Sequence, residues 1–135
     1  MSVEKISTIQ SIYAAFGKGD LPGVLAHVTP TTRWDFNGGR KEVPWHAPVE
    51  SKAGLAAFFQ AFGEGVELHA FEPREFIHCG PHVIVEIHLE YTVRKTKRRV
   101  VMDQLHWWTL DDRSQVLRLR HFEDTAQVLE AVRGT

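Results

Sequence analysis

The chain has 135 residues, of which 43% are hydrophobic and 24% charged, a composition typical of one soluble globular domain. Sixteen Lys and Arg face seventeen Asp and Glu, so the formal net charge of −1 provides no basic surface for nucleic acid. The single cysteine, Cys79, excludes an intrachain disulfide and fits a reducing compartment. We therefore expect one domain over 1–135 in the cytoplasm, with no signal peptide, no membrane-spanning segment and no nucleic-acid partner.

The first half of the chain has the apolar spacing of helices. Its predicted elements are, in chain order, a helix over 3–17, a short helix after Asp20, a strand over 31–37, a loop over 40–48 and a third helix over 52–63. Asp20 and Ser51 have short polar side chains immediately before two of these helices, and we expect both to act as N-caps.

The second half has the alternation of strands. Four strands are predicted, over 66–79, 82–94, 99–110 and 115–123, followed by a closing helix over 124–133. Because the helices precede a run of strands instead of alternating with them, the order indicates an α+β fold with an antiparallel sheet. A strongly curved sheet covered by helices forms a cone whose interior leaves room for a ligand.

Four segments carry a resemblance to a known family, and together with the element order they cover nearly the whole chain: Ile9–Asp20, Thr32–Asn37, Val43–Phe59 and Gln104–Thr125. The sequence resembles the nuclear transport factor 2-like superfamily, and within it the SnoaL-like and ketosteroid-isomerase-related proteins. This resemblance implies a cone-shaped, cystatin-like α+β fold, in which three N-terminal helices and a curved antiparallel sheet surround an apolar pocket. It does not imply one activity, because the superfamily hosts isomerases, cyclases, hydrolases, dehydratases and non-enzymes.

The steroid isomerases of this fold use an oxyanion-binding tyrosine, a base carboxylate and a second, protonated acid. None of the three occupies the corresponding position here, but a suitable residue stands near each: Tyr13 beside Ile12, Asp35 before Phe36, and Asp103 two residues before Leu105. The Asp-Arg-Asp arrangement of the family's epoxide hydrolases is also absent, since Val101 occupies the position of the arginine.

Strand parity, with the family's register, predicts which residues face the pocket. On the strand over 99–110 the odd positions are expected inside, and on the last strand Leu117, Leu119, His121 and Glu123. The predicted catalytic residues are Asp103 as acid or base, His121 as its partner, and Asp35 if the first strand has the matching parity, because an apolar site raises the pKa of a carboxylic acid. The predicted ligand-binding residues are Tyr13, Trp34, Phe59, Leu105, Trp107 and Leu119.

The opposite face of the sheet is expected to be polar and to meet a second copy of the chain. Gln104, His106 and Trp108 are assigned to this outer face, beside charged residues of the neighbouring strands. A loop with Trp45 and His46 is placed near the mouth of the cone, as a surface loop or as a lid. The eight histidines show no metal-binding spacing, so we predict neither a metal nor another cofactor.

Three functions remain open from the sequence. The first is an enzyme that performs isomerase-, cyclase- or hydrolase-type acid–base chemistry on a small apolar, polycyclic or carbonyl-bearing compound. The second is a module that binds such a compound without turnover. The third is a protein-interaction domain whose pocket is filled by its own side chains.

Overall fold

A computed structural model describes residues 2–135 and the side chains from Val3 onward. The helices are α1 (Ser2–Gly17), α2 (Leu21–Leu25), α3 (Leu55–Gly65) and α4 (Thr125–Arg133). The strands are β1 (Val28–Phe36), β2 (Val66–Cys79), β3 (His82–Val93), β4 (Arg99–Leu110) and β5 (Val116–Phe122). Two short 3-10 turns, Pro44–His46 and Lys52–Gly54, lie between β1 and α3. This order confirms the α+β class.

Two of the helix ends form as their sequences require. Asp20 caps α2 by accepting a hydrogen bond from the Gly23 N–H at 3.0 Å, and Asp124 caps α4 in the same manner. Ser51 makes no capping bond with its side chain, so that expectation is wrong: the chain passes first through a 3-10 turn. No helix of the described residues is long and apolar enough to cross a membrane.

The five strands form one open sheet in the order β1-β5-β4-β3-β2. Strands β2 to β5 form the antiparallel meander that the sequence predicts, with two register shifts in β2 that bend it. Strand β1 pairs in parallel with β5, which places Trp34 opposite Leu119 and Phe36 opposite His121. This parallel pair, which the sequence does not predict, brings the first and the last strand of the chain side by side.

The inner face of the sheet is buried against α1 and α3. On β3 the odd residues, from Val83 to Val93, are all buried, which confirms the predicted alternation of that strand. Helix α4 closes the far end, where Val128 and Ala131 pack in a second apolar cluster with Tyr91.

The predicted parity of β4 is wrong. The β3–β4 register pairs Gln104 with Ile87 and His106 with Val85, and directly opposite residues lie on the same face of a sheet. The even positions of β4 therefore face inward with the buried odd positions of β3, whereas the side chain of Asp103 is 59% exposed on the outer face. Leu105, 42% exposed, and the half-buried Trp107 also lie outside.

Candidate active site: an aromatic cavity with a hydrogen-bonded chain

A cavity of about 60 Å³ lies between the helices and the inner face of the sheet. Helix α1 lines it with Ile12, Tyr13 and Phe16, and α3 with Phe58, Phe59 and Phe62. Trp45, on the first 3-10 turn, lines it from the loop, and the inward residues of β1, β4 and β5 form the floor. Since most of these side chains are aromatic, the chemistry of the lining, though not its present volume, suits a planar apolar molecule.

A chain of buried hydrogen bonds runs along the floor from α1. Trp108 donates from Nε1 to the Tyr13 hydroxyl at 2.9 Å, and that hydroxyl bonds Nδ1 of His106 at 2.9 Å. His106 bonds the side-chain oxygen of Gln104 through Nε2 at 2.9 Å. Because the Gln104 oxygen can only accept, His106 carries its proton on Nε2 and Nδ1 accepts from Tyr13.

The same series of hydrogen bonds continues toward the loop that contains His46 and ends on the carboxylate of Glu123. Gln104 donates from Nε2 to one oxygen of Glu123 at 2.8 Å, and His46 bonds the other oxygen through Nε2 at 2.8 Å. The backbone N–H of Arg40 donates to Nδ1 of His46 at 3.0 Å, so His46 donates toward Glu123. Donors therefore converge from both directions on Glu123, whose side chain is 2% exposed.

Burial keeps His106 and Tyr13, at the α1 end of this series of hydrogen bonds, neutral. It lowers the pKa of His106 well below the usual range, and the nearby His121 ring adds to the effect. Burial also raises the pKa of Tyr13, against the opposing effect of the Trp108 hydrogen bond. Because the Tyr13 proton is already donated to His106, Tyr13 is not free to stabilise an oxyanion as in the steroid isomerases.

His121 is the titratable group at the cavity whose free nitrogen can act as a base. Its Nδ1–H donates to the backbone carbonyl of Asp35 at 2.9 Å, and its ring stacks on Phe36 at 3.9 Å between centroids. No group of the described residues bonds its Nε2. Burial lowers the pKa of His121 to about 4, so at neutral pH Nε2 is an unprotonated acceptor.

Two hydrogen-bond donors at the cavity also lack partners within the described chain. The Trp34 indole N–H and the Tyr91 hydroxyl are both buried and unbonded, although their residues line the cavity. A buried donor without a partner costs about 1–3 kcal/mol, so a ligand acceptor would stabilise either group. The centroids of the Trp34 and His121 rings each lie 6.0 Å from the centroid of the Phe58 ring. A hydrogen-bond donor, Trp34, and an acceptor, His121, therefore stand beside the same phenyl ring.

The structure separates the predicted site residues into two groups. Those that line the cavity are Tyr13, Trp34, Phe59, Leu119 and His121. Asp103 bonds His88 at 3.0 Å on the outer face, so it is not brought to His121, and Leu105 and Trp107 lie on that face too. The Asp35 carboxylate pairs with Arg118 at 2.9 Å and reaches the site through its backbone carbonyl alone.

Several polar residues of the site were not predicted there. Gln104 and His106, expected on the outer face, are buried inside, and His46 is held by Glu123. The available signal in the sequence was that apolar residues at even positions, such as Met102 and Trp108, flank the two polar residues of β4. Within residues 2–135, no three His, Cys, Asp or Glu side chains are arranged to hold a metal ion.

Residues 9–118 match the family model of the SnoaL-like domain. The chain belongs to this family. No curated protein matches it. Among solved structures, this SnoaL-like domain is similar to an NTF2-like protein from Burkholderia xenovorans, at 29% identity and a TM-score of 0.88, with 98% of each chain covered.

Two further structures show the range of proteins with this fold. TerC, co-crystallised with polyporic acid, is 26% identical with a TM-score of 0.81, over 96% of this chain and 98% of TerC. A suggested polyketide cyclase from Xanthomonas campestris is 17% identical with a TM-score of 0.77, over 97% of this chain and 98% of the other. At that identity the last similarity shows the fold alone.

Proposed function

We propose that this SnoaL-like domain binds a planar, carbonyl-bearing apolar molecule and moves a proton on it, in isomerase- or cyclase-type chemistry that needs no cofactor. The observation that carries the proposal is the unbonded Nε2 of His121, an unprotonated base held at an aromatic cavity by a hydrogen bond and by stacking on Phe36. The similarity to TerC supports it, since that protein was crystallised with polyporic acid.

The proposed step is proton abstraction beside a carbonyl group. His121 Nε2 takes the proton from the carbon next to the carbonyl, and the electron pair of the broken C–H bond moves to the carbonyl oxygen. The negative charge that develops on this oxygen is stabilised by the unpaired Trp34 N–H. Return of the proton from His121 to another carbon completes an isomerisation. In a cyclisation the new carbanion attacks a second carbonyl carbon, and the alkoxide that forms takes the proton from His121.

The low pKa of His121 limits the substrates that this step can use. A base with a pKa of about 4 is weak, so the C–H bond must be activated by an aromatic ring or a second carbonyl as well. The same property favours an alternative: a module that binds a hydroxylated compound, whose O–H donates to Nε2, without turnover.

Hydrogen exchange of 2-tetralone separates these two functions. The C1 hydrogens of this flat ketone lie between an aromatic ring and the carbonyl, and their exchange in D₂O is followed by proton NMR. We expect the wild-type protein to accelerate exchange at least about tenfold over buffer, with a rate that rises with pH through about 4. His121→Phe, which keeps an aromatic ring on Phe36, should abolish the acceleration.

Asp103→Asn is the matched control, because Asp103 lies on the outer face and should leave the exchange rate unchanged. Binding of 2-tetralone that is detected by calorimetry without accelerated exchange would support the module. Acceleration that persists in His121→Phe would refute His121 as the base.

A further inference from the structure

A second cavity of about 340 Å³ lies outside the first, between the end of α1, α2, α3 and the start of β2. Apolar residues of α2 and β2, including Val24, Val66 and Leu68, line it. The two cavities share three phenylalanines, Phe16, Phe59 and Phe62. Only these side chains are common to both linings, so they form the partition between the inner and outer space.

The inner cavity cannot hold an aromatic ring without rearrangement. Its volume of about 60 Å³ is well below the roughly 150 Å³ of an apolar cavity known to bind benzene. The polar walls are fixed, because hydrogen bonds hold Tyr13, His106 and Trp108. The three shared phenylalanines are half-buried and have the outer cavity behind them. Expansion of the inner cavity is therefore easiest toward the outer one.

A cation stands at the rim of the outer cavity. Arg94 lines it and donates from Nε to the carbonyl of Gly63 at 3.3 Å. Among the described residues no carboxylate forms an ion pair with Arg94. Asp20, the acidic residue of this lining, instead accepts a hydrogen bond from the Gly23 N–H as the cap of α2. Arg94 can therefore pair with an anionic group of a ligand, in a lining that also contains the Asp20 carboxylate.

From this geometry we propose that the outer cavity is a second subsite of one elongated ligand. It takes an apolar arm that ends in a carboxylate at Arg94, while the aromatic ring of the ligand lies in the inner cavity. The arm passes between Phe16, Phe59 and Phe62 after these side chains turn. The placement of the ring rests on the proposed function, whereas the placement of the arm rests on the two linings and on Arg94.

A series of ω-phenylalkanoates tests the arm. Phenylacetate, 4-phenylbutanoate, 6-phenylhexanoate and 8-phenyloctanoate are titrated into the full chain by calorimetry. We expect the affinity to rise about fourfold for each buried methylene until the carboxylate reaches Arg94, and then to level off. An affinity that does not change with chain length would overturn the subsite.

Two variants locate the arm. Leu68→Glu places a charge in the outer cavity at a position that is already 39% exposed, and we expect it to remove the gain with chain length. Leu117→Glu is the matched control, 40% exposed but outside both linings, and should keep the gain. A gain that survives Leu68→Glu would place the arm elsewhere and refute the proposal.

The role of the Arg94 charge is tested by comparing a ligand that ends in a carboxylate with one that ends in an alcohol. Arg94→Gln should weaken 6-phenylhexanoate about three- to fivefold and leave the uncharged 6-phenylhexan-1-ol unchanged. Equal effects on both compounds would show that Arg94 does not recognise the carboxylate.

The subsite and the proposed function fail in different experiments. If 2-tetralone exchange depends on His121 but no chain-length gain is seen, the subsite is wrong and the function stands. If the gain is present and sensitive to Leu68→Glu while exchange is absent, the subsite stands and the catalytic function is wrong.

Discussion

At the scale of single residues, the site depends on groups that are kept neutral by burial. His121 lies between other rings, stacked on Phe36 and 4.7 Å from the His106 ring between centroids. Burial is the largest cause of its lowered pKa, and the nearby charges of Glu123 and Asp35 oppose the shift only in part. The protein thus holds an unprotonated imidazole where solvent would protonate it in mild acid.

This neutral histidine predicts a loss of stability in acid. As pH falls from about 6.5 to about 4, the unfolded chain binds a proton at His121 before the folded protein does, so the free energy of unfolding decreases. Over this pH range the free energy of unfolding falls by a total on the order of 3 kcal/mol. Urea denaturation between pH 4 and 8 should show a shallower pH dependence in His121→Phe than in the wild type.

His88 is the control for that experiment, because its pKa is shifted in the opposite direction. Hydrogen bonds with Asp103 and then Glu90 raise the pKa of His88 on the outer face. His88 therefore stabilises the folded protein at pH values below the pKa that His88 has in the unfolded chain. This stabilisation is lost as the pH rises through the higher pKa that His88 has in the folded protein. His88→Gln should steepen the loss of stability in acid, and the same pH profile in both variants would contradict this assignment.

At the scale of elements, the loop between β1 and α3 is a wall of the cavity and not an open surface loop. Trp45 and His46 are 3% and 4% exposed. His46 holds the loop to Glu123, and Glu42 pairs with Arg133 of α4. Helix α3 ends against this wall, since a Cβ at Gly65 would lie 2.5 Å from the Trp45 ring.

Substitution by alanine is therefore expected to have opposite effects on the free energy of unfolding at two glycines of α3. Gly65→Ala should lower the free energy of unfolding by about 1–3 kcal/mol, because the added methyl group pushes Trp45 into the cavity. Gly63→Ala, where no atom lies within 4 Å of the added Cβ, should raise it by about 0.5–1 kcal/mol through helix propensity. Denaturant unfolding measures both, and equal effects would show that Trp45 does not restrict Gly65.

At the scale of the whole molecule, the outer face of the sheet is more apolar than the strand pattern of the sequence predicts. Val101 and Leu105 are 45% and 42% exposed there. The Arg120 guanidinium lies 5.6 Å from the Trp107 ring centre and 4.8 Å from that of Phe122. Apolar and aromatic side chains with arginine are characteristic of the buried centre of protein interfaces. We propose that a second copy of the chain covers this face.

Light scattering with size-exclusion chromatography tests this association. We expect a dimer for the wild type and a monomer for Leu105→Lys, since the lysine would place a charge in the buried centre of the interface. Val3→Lys, on the 74% exposed Val3 of α1, should remain a dimer. A wild-type monomer at micromolar concentration would refute the proposal.

What the sequence by itself determined are the elements, the fold class and the family. The odd residues of β3 are a continuous apolar series, so burial of one face could be read from its period alone. The caps Asp20 and Asp124 likewise act through bonds that span three residues. Such features are local, and a local pattern in the chain is enough to specify them.

Only the tertiary structure decided the site. On β4 the inward Gln104 and His106 are polar and the outward Leu105 and Trp107 are apolar, so the polarity of these four residues favours the wrong face. The inner face is set by the register with β3, and the polar residues are stable there because each finds a hydrogen-bond partner. Glu123 and His46 lie 77 positions apart, and they meet through the parallel pairing of β1 with β5 and the fold of the loop. Buried polar groups depend on partners that are distant in sequence, and the three-dimensional fold alone brings those partners together.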